Sequence, residues 1–93
     1  MANNLFISYD LHAPDKNYNA VIAAIKKLGD WAKVHYSLWY VKSPYTASGA
    51  CEQVWSSMDA NDRLLVVDAT GNNAAWQNLP NDVSEFIKQK WYA

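Results

Sequence analysis

The sequence predicts an α+β fold: a ferredoxin-like, split βαβ sandwich whose antiparallel sheet carries its helices on one face. Three observations lead there. β-prone runs and amphipathic helical stripes follow one another as strand, helix, strand or strand pair, helix, strand, and a last helix. The run at 31–41 is apolar on both parities from Leu38 onward, more than a sheet covered on one side requires. The chain has 93 residues, the length of one domain, which buries roughly 60–65% of its unfolded surface. In this arrangement the first and last main strands lie side by side in the sheet centre. Two helices cover one face, and the other face is left for a ligand or a partner.

Leu5-Phe6-Ile7-Ser8-Tyr9-Asp10-Leu11 reads as the first strand, delivering Asp10 to its end. His12 to Asp15 forms a loop, because Pro14 disfavours helix at Ala13, and Asp15 or Asn17 offers an N-cap. Tyr18, Val21, Ile22, Ile25 and Leu28 recur at helical spacing, so a helix spans about 17–28 and Gly29 closes it as a C-terminal cap. Residues 31–41 carry the strongest β signal. This stretch is either buried on both faces or meets a second subunit with one of them, and it is long enough to break into a strand pair near Ser37. Ser43 to Thr46 is a turn, and Thr46 caps a second helix over about 47–58, with Ala47, Ala50, Cys51, Val54, Trp55 and Met58 on its apolar side. Arg63 to Asp68 is a short buried strand. Residues 69–73 form a polar loop and 74–76 a helical turn. A last helix covers about 82–91, with Val83, Phe86, Ile87 and Trp91 inward.

Composition narrows the function classes. Eight basic and nine acidic residues leave a formal net charge of −1, with no basic stripe, so strong non-specific nucleic-acid binding is not expected. A single cysteine, Cys51, excludes an internal disulfide and a zinc pattern, and it reads as a small apolar helix residue. No stretch resembles a secretion signal or a membrane span, so the expectation is a cytoplasmic protein with no membrane partner. Five tryptophans and six tyrosines are more than a small core needs, which points some of them toward an interface or a binding surface.

The run Ile7-Ser8-Tyr9-Asp10-Leu11, the helix carrying Tyr18 and Leu28, the Ser37-Leu38-Trp39 strand and the buried strand 64–68 resemble the second Cas protein of CRISPR adaptation and its relatives. Within that superfamily the look is nearest to SinR-like and VapD-like small proteins. The resemblance covers about residues 5–68. It implies a ferredoxin-like homodimer in which the two first-strand aspartates face each other. In nucleolytic members those aspartates are thought to hold a divalent metal for phosphodiester cleavage, and in adaptation complexes the dimer is largely a DNA-binding scaffold.

Carried over residue by residue, the resemblance makes Asp10 the candidate catalytic and metal-ligating residue. Mg²⁺ or Mn²⁺ would be shared by two copies, since hard ions take oxygen ligands. Ser8 shares the strand face of Asp10 as a hydrogen-bond donor, and His12 is a candidate acid or base. Against this stands the ordinary role of Asp10 as a loop-capping carboxylate. Asp68 either joins Asp10 in a carboxylate pair or caps the loop after it. Trp39, Tyr40 and Tyr45 either stack on bases, with Lys33 and Lys42 meeting phosphates, or are buried between subunits, the reading favoured here. His35 reads as structural. Two functions compete. One is a homodimeric scaffold that binds RNA, DNA or a protein partner in a nucleic-acid or phage-defence setting, with weak or no catalysis. The other is a metal-dependent endonuclease with paired Asp10 residues.

Overall fold

Leu5, Ile7, Tyr9 and Leu11 alternate with Asn4, Phe6, Ser8 and Asp10, so one strand serves two layers at once. The computed structural model describes residues 2–12 and 18–93. Its elements are β1 (Asn3–Asp10), α1 (Tyr18–Lys26), β2 (Asp30–His35), β3 (Leu38–Ser43), α2 (Ala47–Trp55), β4 (Arg63–Asp68) and α3 (Asn81–Trp91). The expected loop at 13–15 and the caps Asp15 and Asn17 lie outside the described residues. Among the described residues, no helix is long and apolar enough to cross a membrane.

The protein is a small α+β fold with one four-stranded antiparallel sheet in the order β2-β3-β1-β4. The long β run does break at Tyr36-Ser37 into a hairpin, with an irregular register between Lys33 and His35. β1 and β4 pair as expected, but β4 is an edge and not a central strand. The central partner of β1 is β3, which is buried on both faces from Trp39 to Ser43 and therefore needs neighbours on both sides.

On the first face of the sheet, Leu5, Ile7, Tyr9, Trp39 and Val41 pack against Val21 and Ile25 of α1 and Ala50 and Val54 of α2. Thr46 caps α2 as expected, its Oγ1 accepting from the Gly49 N–H at 3.0 Å. α2 ends at Trp55, which is 40% exposed and so does not belong to the inward stripe.

The second face is not left open throughout. α3 lies over its β2–β3 half, where Tyr40, Ile87 and Trp91 form a second core with Phe6, Val34, Val83 and Phe86. A buried polar clamp holds the helix down. Asn4 Nδ2 donates to the Trp91 carbonyl oxygen at 2.9 Å, while Asn4 Oδ1 accepts from the Tyr40 hydroxyl at 2.7 Å and from Lys42 Nζ at 3.1 Å. Lys42 Nζ also reaches the Trp91 carbonyl oxygen at 3.2 Å, placing a cation on the negative end of α3. Residues 74–76 are irregular rather than helical, and the Trp76 indole N–H ties this loop to α3 through Ser84 Oγ at 3.0 Å.

Gly29 has a different role from the one its position predicts. It is not in the left-handed region where a glycine cap would place it. A Cβ there would collide with the Lys42 carbonyl oxygen, so glycine lets the start of β2 lie against β3.

Candidate functional site

Because α3 covers only half of the second face, the β1–β4 half stays accessible. Side chains of Ser8 and Asp10 from β1 and of Arg63, Leu65 and Val67 from β4 share this surface, set by the pairs Asp10↔Arg63, Ser8↔Leu65 and Phe6↔Val67. Leu65 is 61% and Val67 44% exposed, while Leu64 and Val66 turn inward to the first core. Ser8, Tyr9, Asp10, Arg63, Leu64 and Leu65 line a shallow depression of about 170 Å³.

Asp10 is exposed at the end of β1, with Arg63 as its register partner. Among the described residues, no three His, Cys, Asp or Glu side chains gather into a metal-holding group. Asp68 does not join Asp10. The strands run antiparallel, so Asp68 pairs with Leu5 at the opposite end of β1, and its Oδ1 accepts from the Thr70 N–H at 3.0 Å, as a loop cap does.

His12 is exposed just past the strand, and its backbone N–H donates to Asp62 Oδ1 at 2.9 Å. Asp62, 6% exposed, also accepts from the Asp59 N–H through Oδ2 at 2.8 Å. This carboxylate brackets the chain after Asp10 to the turn before Arg63. In the sequence, Asp62 stands in the polar run 59–62 that ends the second predicted helix. Its local signal is an aspartate three residues after Asp59, within reach of that residue's N–H, but the His12 half of the bracket is 50 residues away in sequence.

The aromatic candidates separate. Trp39 is 2% and Tyr40 0% exposed, both buried by this chain alone, so neither is a base-stacking surface and neither needs a second subunit to cover it. α1 and α2 cover Trp39, and α3 covers Tyr40. Burial pushes the Tyr40 phenol from its ordinary 10.0 to about 12. Lys42 is spent on the α3 clamp and is 8% exposed, which removes it as a phosphate contact. Tyr45 is 37% exposed in the turn before α2, where its N–H donates to Ser43 Oγ and its carbonyl oxygen accepts from Asn3 Nδ2. His35 ends β2 with its side chain exposed, and Cys51 is a free, half-buried thiol on α2.

Exposed rings that local pattern does not single out include Tyr36, Tyr92 and Trp31. Trp31 lies on the outer edge of β2. It packs at a tilt of 60° on Trp39, with ring centroids 5.4 Å apart, and remains 40% exposed. Lys26 Nζ sits 4.4 Å from its ring centroid. No protein-family model, curated protein or solved structure matches the chain.

Proposed function

We propose that the protein is a ferredoxin-like, Cas-two-like homodimeric binding module that works as a scaffold rather than as a catalyst. The βαββαβ order of β1 to β4, with β1 next to both β3 and β4, supports the ferredoxin-like reading. The observation that carries the dimer is the contrast between the two sheet edges. β2 is guarded by Asp30, Lys33 and His35 and by its irregular register. β4 has four consecutive apolar residues at 64–67 and no proline, its charges, Arg63 and Asp68, standing only at its two ends, and two of those four are exposed. An unprotected edge of this kind is a template for strand pairing. A two-fold pairing of β4 with β4 of a second copy satisfies its free backbone groups and makes one eight-stranded sheet.

That pairing also bears on catalysis. Three strand spacings of about 4.8 Å would separate the two Asp10 backbones, about 14 Å in all. A shared Mg²⁺ holds each oxygen at about 2.1 Å. An edge-paired dimer therefore keeps the aspartates apart and favours binding over cleavage. The endonuclease reading has one observation in its favour, the exposed Asp10 carboxylate on the uncovered half of the sheet. It requires the two copies to meet face to face across that half.

Sedimentation velocity over a micromolar concentration series tests the dimer, with Leu65→Gln/Val67→Gln beside the wild type. The expected result is a dimer that the double variant loses while keeping its far-UV circular dichroism. A strict wild-type monomer, or a variant dimer of unchanged affinity, would refute edge pairing. Incubation with labelled RNA and DNA and Mg²⁺ or Mn²⁺, with Asp10→Ala as control, separates the two functions. Cleavage that disappears in Asp10→Ala overturns the scaffold reading.

A further inference from the structure

The β2 edge carries a second surface, remote from β4. Trp31 and Lys33 lie on the same side of β2, that of Trp39 and Val41, and Lys26 reaches this side from the last turn of α1. Lys33 Nζ is 5.5 Å from the ring centroid of Tyr36 and 5.9 Å from that of Trp39, and Lys26 Nζ is 6.0 Å from Trp39. Tyr36, in the hairpin turn, is 82% exposed. Asp30, the acidic residue on this strand, points to the opposite face and pairs with Lys90 at 3.0 Å. Within this group Lys26 and Lys33 supply the charge.

We propose that this strip of Trp31 and Tyr36, flanked by Lys26 and Lys33, binds single-stranded nucleic acid. The inference rests on the binding-module reading and names its ligand. Trp31 is held in one orientation by the buried Trp39 beneath it, so it presents a preorganised ring. Each lysine sits over a ring in a weak, solvent-exposed cation–π contact. A phosphate draws the ammonium off the ring, and the vacated π-face takes a base. Rings interleaved with cations are what sequence-tolerant single-strand binding requires, because every base has a π-face and every nucleotide a phosphate. A duplex hides its base faces and has no use for the rings. An acidic peptide would meet the lysines but leave Trp31 and Tyr36 unused, so single strands fit both halves of the strip.

The test is fluorescence anisotropy of labelled oligo-dT and oligo-rU with the full chain, alongside a duplex and poly-glutamate as competitors. Binding is expected to quench part of the tryptophan emission. Its affinity is expected to fall with salt at a slope near −1.4, about −0.7 for each of the two lysines. Trp31→Ala should weaken binding about tenfold or more, the loss of one stacked base, while Trp31→Phe keeps a ring and most of the affinity. Lys33→Gln should make the salt slope shallower. No binding at low salt, equal affinity for duplex, equal competition by poly-glutamate, or a Trp31→Ala variant with native circular dichroism and unchanged affinity would overturn the proposal. Its failure is distinct from failure of the dimer. A wild-type dimer that ignores oligonucleotides sinks this inference alone, and a wild-type monomer that binds them sinks edge pairing alone.

Discussion

Replacing Asn4 by leucine tests whether the clamp beneath α3 is a dry, stabilising network. Asn4 is 1% exposed and makes three of the clamp's bonds, with the Tyr40 hydroxyl, Lys42 Nζ and the Trp91 carbonyl oxygen. In Asn4→Leu the Tyr40 hydroxyl loses its acceptor while staying buried, a cost of about 1–3 kcal/mol. Lys42 Nζ keeps the Trp91 carbonyl oxygen but loses Asn4 Oδ1, a charged hydrogen bond worth about 1.5–3 kcal/mol. The helix end keeps Lys42, so α3 is expected to stay docked with a net destabilisation of about 3–4 kcal/mol. For a domain of this size that lowers Tm by roughly 15–20 °C. The assay is urea and thermal unfolding followed by far-UV circular dichroism. Adding Tyr40→Phe removes the orphaned hydroxyl, so the double variant should be more stable than the two single losses sum to, by about 1–2 kcal/mol. A loss below about 1 kcal/mol in Asn4→Leu, or no coupling in the cycle, would show that water already satisfies these groups and would refute the clamp as a source of stability.

The same site predicts a pH dependence. The Tyr40 phenol is raised from 10.0 to about 12 in the folded protein. The unfolded chain therefore gives up this proton first. The contribution is fully present below pH 10 and is lost as pH rises toward 12, amounting to about 3 kcal/mol over that window. Tyr40→Phe should flatten this part of the stability profile relative to wild type, measured by urea unfolding at stepped pH; parallel profiles would count against the buried, protonated phenol. Gly29→Ala should destabilise by roughly 2–4 kcal/mol, since the new methyl meets the Lys42 carbonyl oxygen in a packed sheet. A thermal melt within a degree or two of wild type would show that β2 and β3 separate there without cost.

Much of the scaffold is readable from local pattern. A β-prone run marks β1, the two-sided apolar run marks β3, and the Thr46 cap and the limits of β4 need no more than neighbouring residues to be seen. Asp10 is likewise placed at a strand end by its neighbours alone. Local pattern also states that β3 needs cover on both faces. It does not state what supplies the cover. That is decided by α3, which comes some forty residues later and is held by Lys42 and Asn4 through bonds spanning 49 and 87 positions. For the same reason Lys42, Tyr40 and Trp39 pass from candidate ligand contacts to interior residues, Gly29 passes from helix cap to strand spacer, and Asp68 is parted from Asp10 by the antiparallel register. What the chain's own periodicity determines is which residues share a face. Which face meets which element depends on long-range packing and buried polar pairing, and only the assembled sheet decides that Asp10 stands on the uncovered half, beside the edge strand β4.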